Sequence, residues 1–279
     1  MSTITAAAAA AAGALELGGD LTVNRLGYGT MQLTGPGAWG DPKDPAEAVR
    51  VLRRAVELGV NFIDTADAYG PFVAEQLIKK ALHPCTDGLV IATKIGLTRR
   101  GPTGMAPVGR PEYLRQQTEL SLRHLGLERI DLLPLHRIDP AVPLADQVGE
   151  LKRLRDEGKV GHIGLSEVTV EELQTAQEFA PIVSVQNMFN LADRSAEPLL
   201  DYAAGNGIAF IPWFPLATGA LAGNGSPAGT AGRRARRDPV PAGPCLAAEA
   251  LCHRTDRRAV RRAQRRNRLT PEIQEVYGV

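Results

Sequence analysis

Gly59-Val-Asn-Phe-Ile-Asp-Thr-Ala-Asp-Ala-Tyr-Gly70 turns from an apolar run into a polar loop at Asp64. Val60, Phe62 and Ile63 read as a strand, Asp64 stands at its C-terminal end, and Tyr69 follows on a loop that closes at Gly70. A carboxylate ending an apolar strand is poorly solvated and calls for a cation. Lys94 supplies one, in Leu89-Val-Ile-Ala-Thr-Lys-Ile-Gly96, whose apolar run is typical of a strand buried on both faces of a parallel sheet. If neighbouring strands end in Asp64 and Lys94, the pair satisfies itself and sets a positive field beside Tyr69. That field predicts a phenol pKa lowered from about 10 and a usable proton donor near neutral pH. A third such strand, Ile130-Asp-Leu-Leu-Pro-Leu-His136, ends in an imidazole able to hydrogen-bond the same substrate oxygen.

The same alternation runs outward in both directions. Leu15-Glu-Leu and Leu21-Thr-Val, around Gly18-Gly-Asp, predict a hairpin that plugs the bottom of a barrel. Leu26 to Met31 predicts the first barrel strand. Asp44-Pro45 then gives an N-cap followed by proline at the first helical position, and Ala48, Val49, Leu52, Ala55 and Val56 recur at helical spacing until Gly59. Strands at 60–64, 89–95, 130–136, 160–166, 182–187 and 208–214 alternate with helices at 72–82, 111–125, 144–157, 169–179 and 196–204. This pattern predicts parallel strands and a (β/α)8 TIM barrel over residues 15–221. A doubly wound open sheet is the alternative, and the absence of a G-x-G-x-x-G after the first strand counts against it. Residues 1–14 read as an alanine-rich leader without structure, and residues 222–279 as an atypical Arg/Pro/Ala-rich tail in place of the last βα unit.

Together these stretches resemble the aldo-keto reductases. The pattern at 59–70 matches the family's first signature, and Ser121-Leu-Arg-His-Leu-Gly-Leu-Glu-Arg-Ile-Asp-Leu132, running into Leu135-His136, matches its second. The resemblance implies reduction of aldehydes or ketones by hydride from NADPH, with NADH the alternative, a small-molecule carbonyl substrate and no metal. It places Asp64, Tyr69, Lys94 and His136 on the catalytic tetrad. It further implies that Ser166 and Gln186 hold the nicotinamide carboxamide, that Trp213 stacks on the ring, and that Leu216 lies against the cofactor. A flat aromatic fixes the ring face and hydrogen bonds to the amide fix its rotation, so hydride is offered from one side. A histidine at one strand end is by itself more often a satisfied core group than a catalyst. Acid, ammonium, phenol and imidazole converging from separate strand ends favour a site.

Two features depart from the family pattern. Pro134 removes a strand N–H two residues before His136, which predicts a local break that displaces the histidine. The second is compositional: residues 223–279 hold twelve arginines, no lysine and five acids, a net of +7 in a chain whose total is +1. Such composition also arises when a GC-rich coding sequence is read out of frame, so the rival reading is a non-catalytic or defective reductase-like barrel whose cofactor-binding C-terminal segment is missing or scrambled. Clustered arginines attract phosphates, but with Tyr277 as the tail's aromatic there is no stacking platform, which disfavours nucleic acid as a partner. The remaining bulk properties suit a soluble one-domain protein of 279 residues, 44% hydrophobic and 23% charged. Three cysteines at no recognisable metal or disulfide spacing predict a reducing cytoplasm. No Lys or Arg precedes Arg25, so the alanine run from Ala6 to Ala12 makes a poor signal peptide, and no apolar run is long enough for a membrane span.

Overall fold

The computed structural model describes residues 7–190 and 192–215. The tail that stands in place of the last βα unit, and Leu216, lie outside the described residues. Among the described residues seven parallel strands form one sheet: β3 (Tyr28–Gly29), β4 (Phe62–Asp64), β5 (Val90–Ala92), β8 (Ile130–Leu135), β9 (Val160–Ser166), β10 (Ile182–Met188) and β11 (Ala209–Trp213). Their spatial order is their chain order. A doubly wound sheet reverses direction at a switch point, so an order without reversal excludes that alternative and gives the continuous wall of a barrel.

Crossover helices α2 (Pro45–Glu57), α3 (Val73–Leu82), α4 (Pro111–Leu125), α5 (Leu144–Asp156), α6 (Val170–Gln177) and α7 (Glu197–Gly205) join these strands. Several termini are written in the sequence. Asp44 accepts the N–H groups of Ala46 and Glu47 at 3.0 and 2.9 Å ahead of Pro45. Thr169 and Glu172 form a reciprocal capping box at the start of α6. Gly126, at φ 74°, ends α4 with its N–H on the Leu122 carbonyl.

The hairpin of β1 (Ala14–Leu17) and β2 (Leu21–Asn24) packs where the expectation put it. Leu17 and Val23 share a buried cluster with Phe62 and Val90, the first residues of β4 and β5, with Leu132, and with Ala209 at the start of β11. The plug therefore lies at the N-terminal end of the strands. Two larger clusters fill the space between sheet and helices, one around Leu52, Ile63, Ile78 and Ile91 and the other around Leu133, Leu151, Ile163 and Val185.

Two local expectations are corrected, and one element not read from the sequence is added. Within the alanine run, Ala7–Ala10 forms a helical turn, α1, in which Ala9 is buried and donates its N–H to the Leu58 carbonyl. The loop after β5 contains a further antiparallel hairpin, β6 (Leu97–Arg99) with β7 (Met105–Pro107). And His136 is not displaced by Pro134. On this side β8 faces β5 through the carbonyls of Leu132 and Pro134, which accept from Thr93 and Ile95 at 3.2 and 3.3 Å, and the His136 N–H then donates to the Ile95 carbonyl at 2.8 Å. The proline costs one ladder bond and leaves β5 paired to β8 at Ala92 and Leu132, but the next bond re-anchors the chain. Gly164 lies opposite in β9, where a Cβ would meet the Ser184 hydroxyl at 2.4 Å and the Pro134 ring at 3.3 Å. Among the described residues no helix is long and apolar enough to cross a membrane.

Candidate active site

The parallel register brings the polar strand ends to one face. Lys94, two residues beyond β5, is fully buried and its Nζ donates to Asp64 Oδ2 and to the Thr65 carbonyl, both at 2.8 Å. Gln186 Nε2 donates to the other Asp64 oxygen at 3.1 Å, so both carboxylate oxygens are engaged. The Asp64 carbonyl is itself fixed by the Thr30 N–H at 2.9 Å and the Thr30 hydroxyl at 3.1 Å. Burial pushes the Lys94 ammonium down, but Asp64 and Tyr69 more than offset it and hold the pKa above the usual lysine value.

Tyr69 is carried by a loop that the backbone over-determines. Asp67 N–H donates to the Lys94 carbonyl at 3.0 Å, Phe72 N–H to the Asp67 carbonyl at 2.8 Å, and Gly70 N–H to the Ala38 carbonyl at 3.0 Å. Gly70 sits at φ 109°, and a Cβ there would lie 2.3 Å from the Val73 side chain, so the loop closes only with glycine. The result sets Lys94 Nζ 5.2 Å from the Tyr69 ring centroid.

The direction of the phenol's pKa differs from the expectation. Burial raises it, Lys94 lowers it and Asp64 raises it again, with a net shift above the ordinary tyrosine value. Burial wins because the ammonium is already shared with Asp64. The consequence is a phenol fully protonated at neutral pH, a loaded donor whose conjugate base still meets a cation. His136 stands edge-on to Tyr69, with ring centroids 6.0 Å apart and planes at 81°. Its pKa falls well below the ordinary value, first through burial and then through Lys94, Arg137 and Arg99, so it is a neutral imidazole.

On the adjoining strands Ser166 and Gln186 are buried partners in register across β9 and β10. Trp213 ends β11 opposite Met188 and remains partly exposed. A hydroxyl and an amide beside a half-open indole match the donors, acceptors and flat surface that a nicotinamide carboxamide requires. Asn187, also at this strand end, instead clasps Val168, accepting its N–H at 3.2 Å and donating to its carbonyl at 3.0 Å.

Two neighbours of predicted site residues carry more than the sequence reading gave them. Arg137, after His136, donates to the His136 carbonyl at 2.6 Å and to Ser166 Oγ at 3.2 Å. Glu167, after Ser166, accepts from the Met188 N–H at 2.7 Å and from the Trp213 indole N–H. A charged residue immediately beyond an apolar strand's last polar position was the available signal in both cases. Two further acids, Asp67 and Glu75, are buried behind the tetrad, Glu75 accepting from the Thr93 hydroxyl at 2.6 Å.

The model of the Aldo/keto reductase family matches residues 25–276. The chain belongs to the aldo-keto reductase family. An uncharacterised oxidoreductase of Schizosaccharomyces pombe is 51% identical over 218 residues, which are 78% of this chain and 71% of that protein. Pyridoxine 4-dehydrogenase of Escherichia coli is 43% identical over 204 residues, 71% of each chain. Among solved structures, an aldo-keto reductase from Klebsiella pneumoniae in complex with NADPH superposes with a TM-score of 0.64 at 24% identity, over 76% of this chain and 71% of that one. This aldo-keto reductase is therefore a nicotinamide-dependent oxidoreductase of small carbonyl compounds, and its family match continues past Leu221 well into the arginine-rich tail.

Proposed function

We propose that this reductase converts aldehydes to alcohols with NADPH, using Tyr69 as the proton donor. The observation that carries the reading is a protonated phenol beside a buried ammonium, with a neutral imidazole at the same mouth. The substrate's carbonyl oxygen binds between the Tyr69 hydroxyl and the His136 ring, which orient it by hydrogen bonds. As negative charge grows on that oxygen, Tyr69 gives up its proton and Lys94 stabilises the phenolate left behind. Asp64, braced by Gln186, keeps Lys94 charged and aimed. The bound cofactor supplies the hydride. Ser166, Gln186, Trp213 and Leu216 hold its nicotinamide, and the positive charge of residues 223–279 favours the extra phosphate of NADPH over NADH. The 43% identity to pyridoxine 4-dehydrogenase supports an aromatic aldehyde of the pyridoxal type as substrate.

The test is carbonyl-dependent oxidation of NADPH, followed by loss of its absorbance, against a panel of aromatic and aliphatic aldehydes that includes pyridoxal. Turnover with aromatic aldehydes ahead of aliphatic ones is expected. Protein that binds NADPH yet oxidises it no faster with any carbonyl than without one overturns the reading.

A further inference from the structure

Glu167 occupies an unusual place in the chain. It follows Ser166, the last residue of β9, at φ 54°, in the left-handed region that a residue with a side chain enters at a cost. Its N–H donates to the Gln186 carbonyl at 3.0 Å, which fixes the turn. The left-handed turn sends the side chain sideways across the ends of the next two strands. There one oxygen, Oε1, takes both the Met188 N–H of β10 and the Trp213 indole N–H of β11, two residues that face each other in register. Arg137 bridges His136 and Ser166 beside the turn, its guanidinium pushed below the ordinary value by burial, which the charge of Glu167 only partly offsets. Strained backbone of this kind persists where its surroundings over-determine it and clusters at functional sites.

An indole is a flat plate hung from one bond at the strand end, and its N–H is its one polar handle. With that N–H bonded to a carboxylate that is itself fixed to the Met188 backbone, the plane of the ring is tied to β9 and β10 as well as to the strand that carries it. We propose that Glu167 is a positioning residue that sets the ring plane of Trp213 and thereby the orientation in which the nicotinamide is held. The proposal rests on the reading of Trp213 as the nicotinamide platform. It differs from a plain brace between β9 and β10, which needs the Met188 bond alone.

The experiment uses the full chain with Trp39→Phe, so that Trp213 is the remaining tryptophan, and compares Glu167→Gln, Glu167→Asp and Glu167→Ala. Glu167→Gln keeps an acceptor oxygen at the same reach and is expected to preserve near-ultraviolet dichroism and NADPH affinity within about threefold. Glu167→Asp retains the charge but falls short of the indole, and Glu167→Ala removes the acceptor. Both are expected to weaken the cofactor-free indole dichroism and to raise the NADPH dissociation constant on the order of tenfold, as misplaced contact groups do. In a Trp213→Phe background, whose ring has no N–H, Glu167→Asp should have little further effect on NADPH affinity, a non-additivity that marks a shared role. Glu167→Asp carries the test where Glu167→Ala does not fold. Unchanged dichroism and affinity in Glu167→Asp, or full additivity with Trp213→Phe, overturn the proposal. If the parent's Trp213 fluorescence is not quenched by NADPH, the platform reading fails and takes the proposal with it. Quenching in the parent that persists unaltered in Glu167→Asp refutes the proposal alone.

Discussion

In the proposed reaction Tyr69 has two tasks that pull in opposite directions, keeping its proton at rest and releasing it as the substrate oxygen gains charge. Burial serves the first and Lys94 the second. Tyr69→Phe removes the proton and leaves the ring, so kcat should fall about 10²–10⁴-fold with melting temperature and NADPH affinity near those of the parent. A variant keeping more than half the parental kcat would show that the proton comes from elsewhere. Lys94→Met should abolish activity and also cost up to about 3 kcal/mol in denaturant unfolding, because it leaves the half-buried Asp64 carboxylate without its cation. Glu75 gives a pH signature. Burial carries its carboxyl from 4.5 up to about 7, against the lowering effect of the hydrogen bond from Thr93, with Asp67 nearby raised in the same direction. The folded state thus holds a proton that the unfolded chain releases near pH 4.5, so this stability is full below that pH and is lost as pH rises through about 7. Glu75→Gln should remove a slope worth on the order of 3 kcal/mol across that window, measured by urea unfolding at several pH values. A variant with the parental slope would place the titration elsewhere. That Asp64, Lys94, Tyr69 and His136 gather at one face was legible at this scale because residue types and strand ends are sequence properties. The sign of the Tyr69 shift was not, because it depends on how deeply the ring is buried once the loop has closed.

At the scale of elements, the helices were read to within a residue or two where their ends are spelled out, as at Asp44-Pro45, Pro111 and Gly126. β4, β5, β8 and β11 came out shorter than the runs read for them, while β9 matches its run and β10 extends one residue further. Burial extends past the hydrogen-bonded ladder, and in the run from Leu89 to Ile95 the ladder ends early because Pro134 offers no N–H. The β6–β7 hairpin was missed because three-residue strands carry too little alternation to stand out from a loop. The hairpin plug was legible because Gly18-Gly-Asp separates two short alternating runs. It also bears weight in the packing: Leu17, 2% exposed, meets side chains from several strands, so Leu17→Ala should destabilise by about 2–5 kcal/mol in denaturant unfolding. An effect below about 1 kcal/mol would mean that the hairpin rests on the barrel without sealing it.

The whole molecule repeats one step, strand then helix, and an unreversed strand order is all that separates it from an open sheet of the same composition. The charge division between residues 1–222 and the tail belongs to this scale as well. If the tail's arginines meet the cofactor's extra phosphate, raising ionic strength should weaken NADPH binding several-fold and NADH binding distinctly less, measured by quenching of Trp213. Equal salt dependence for the two cofactors would remove the tail from that role. The plug of Leu17 and Val23 has one more consequence. With the N-terminal ends of the described strands covered, reactants and products share one rim at the other end, so whatever sits deeper there waits for what lies above it to leave. Traffic at that rim, and not passage through the interior, then sets the order in which molecules come and go.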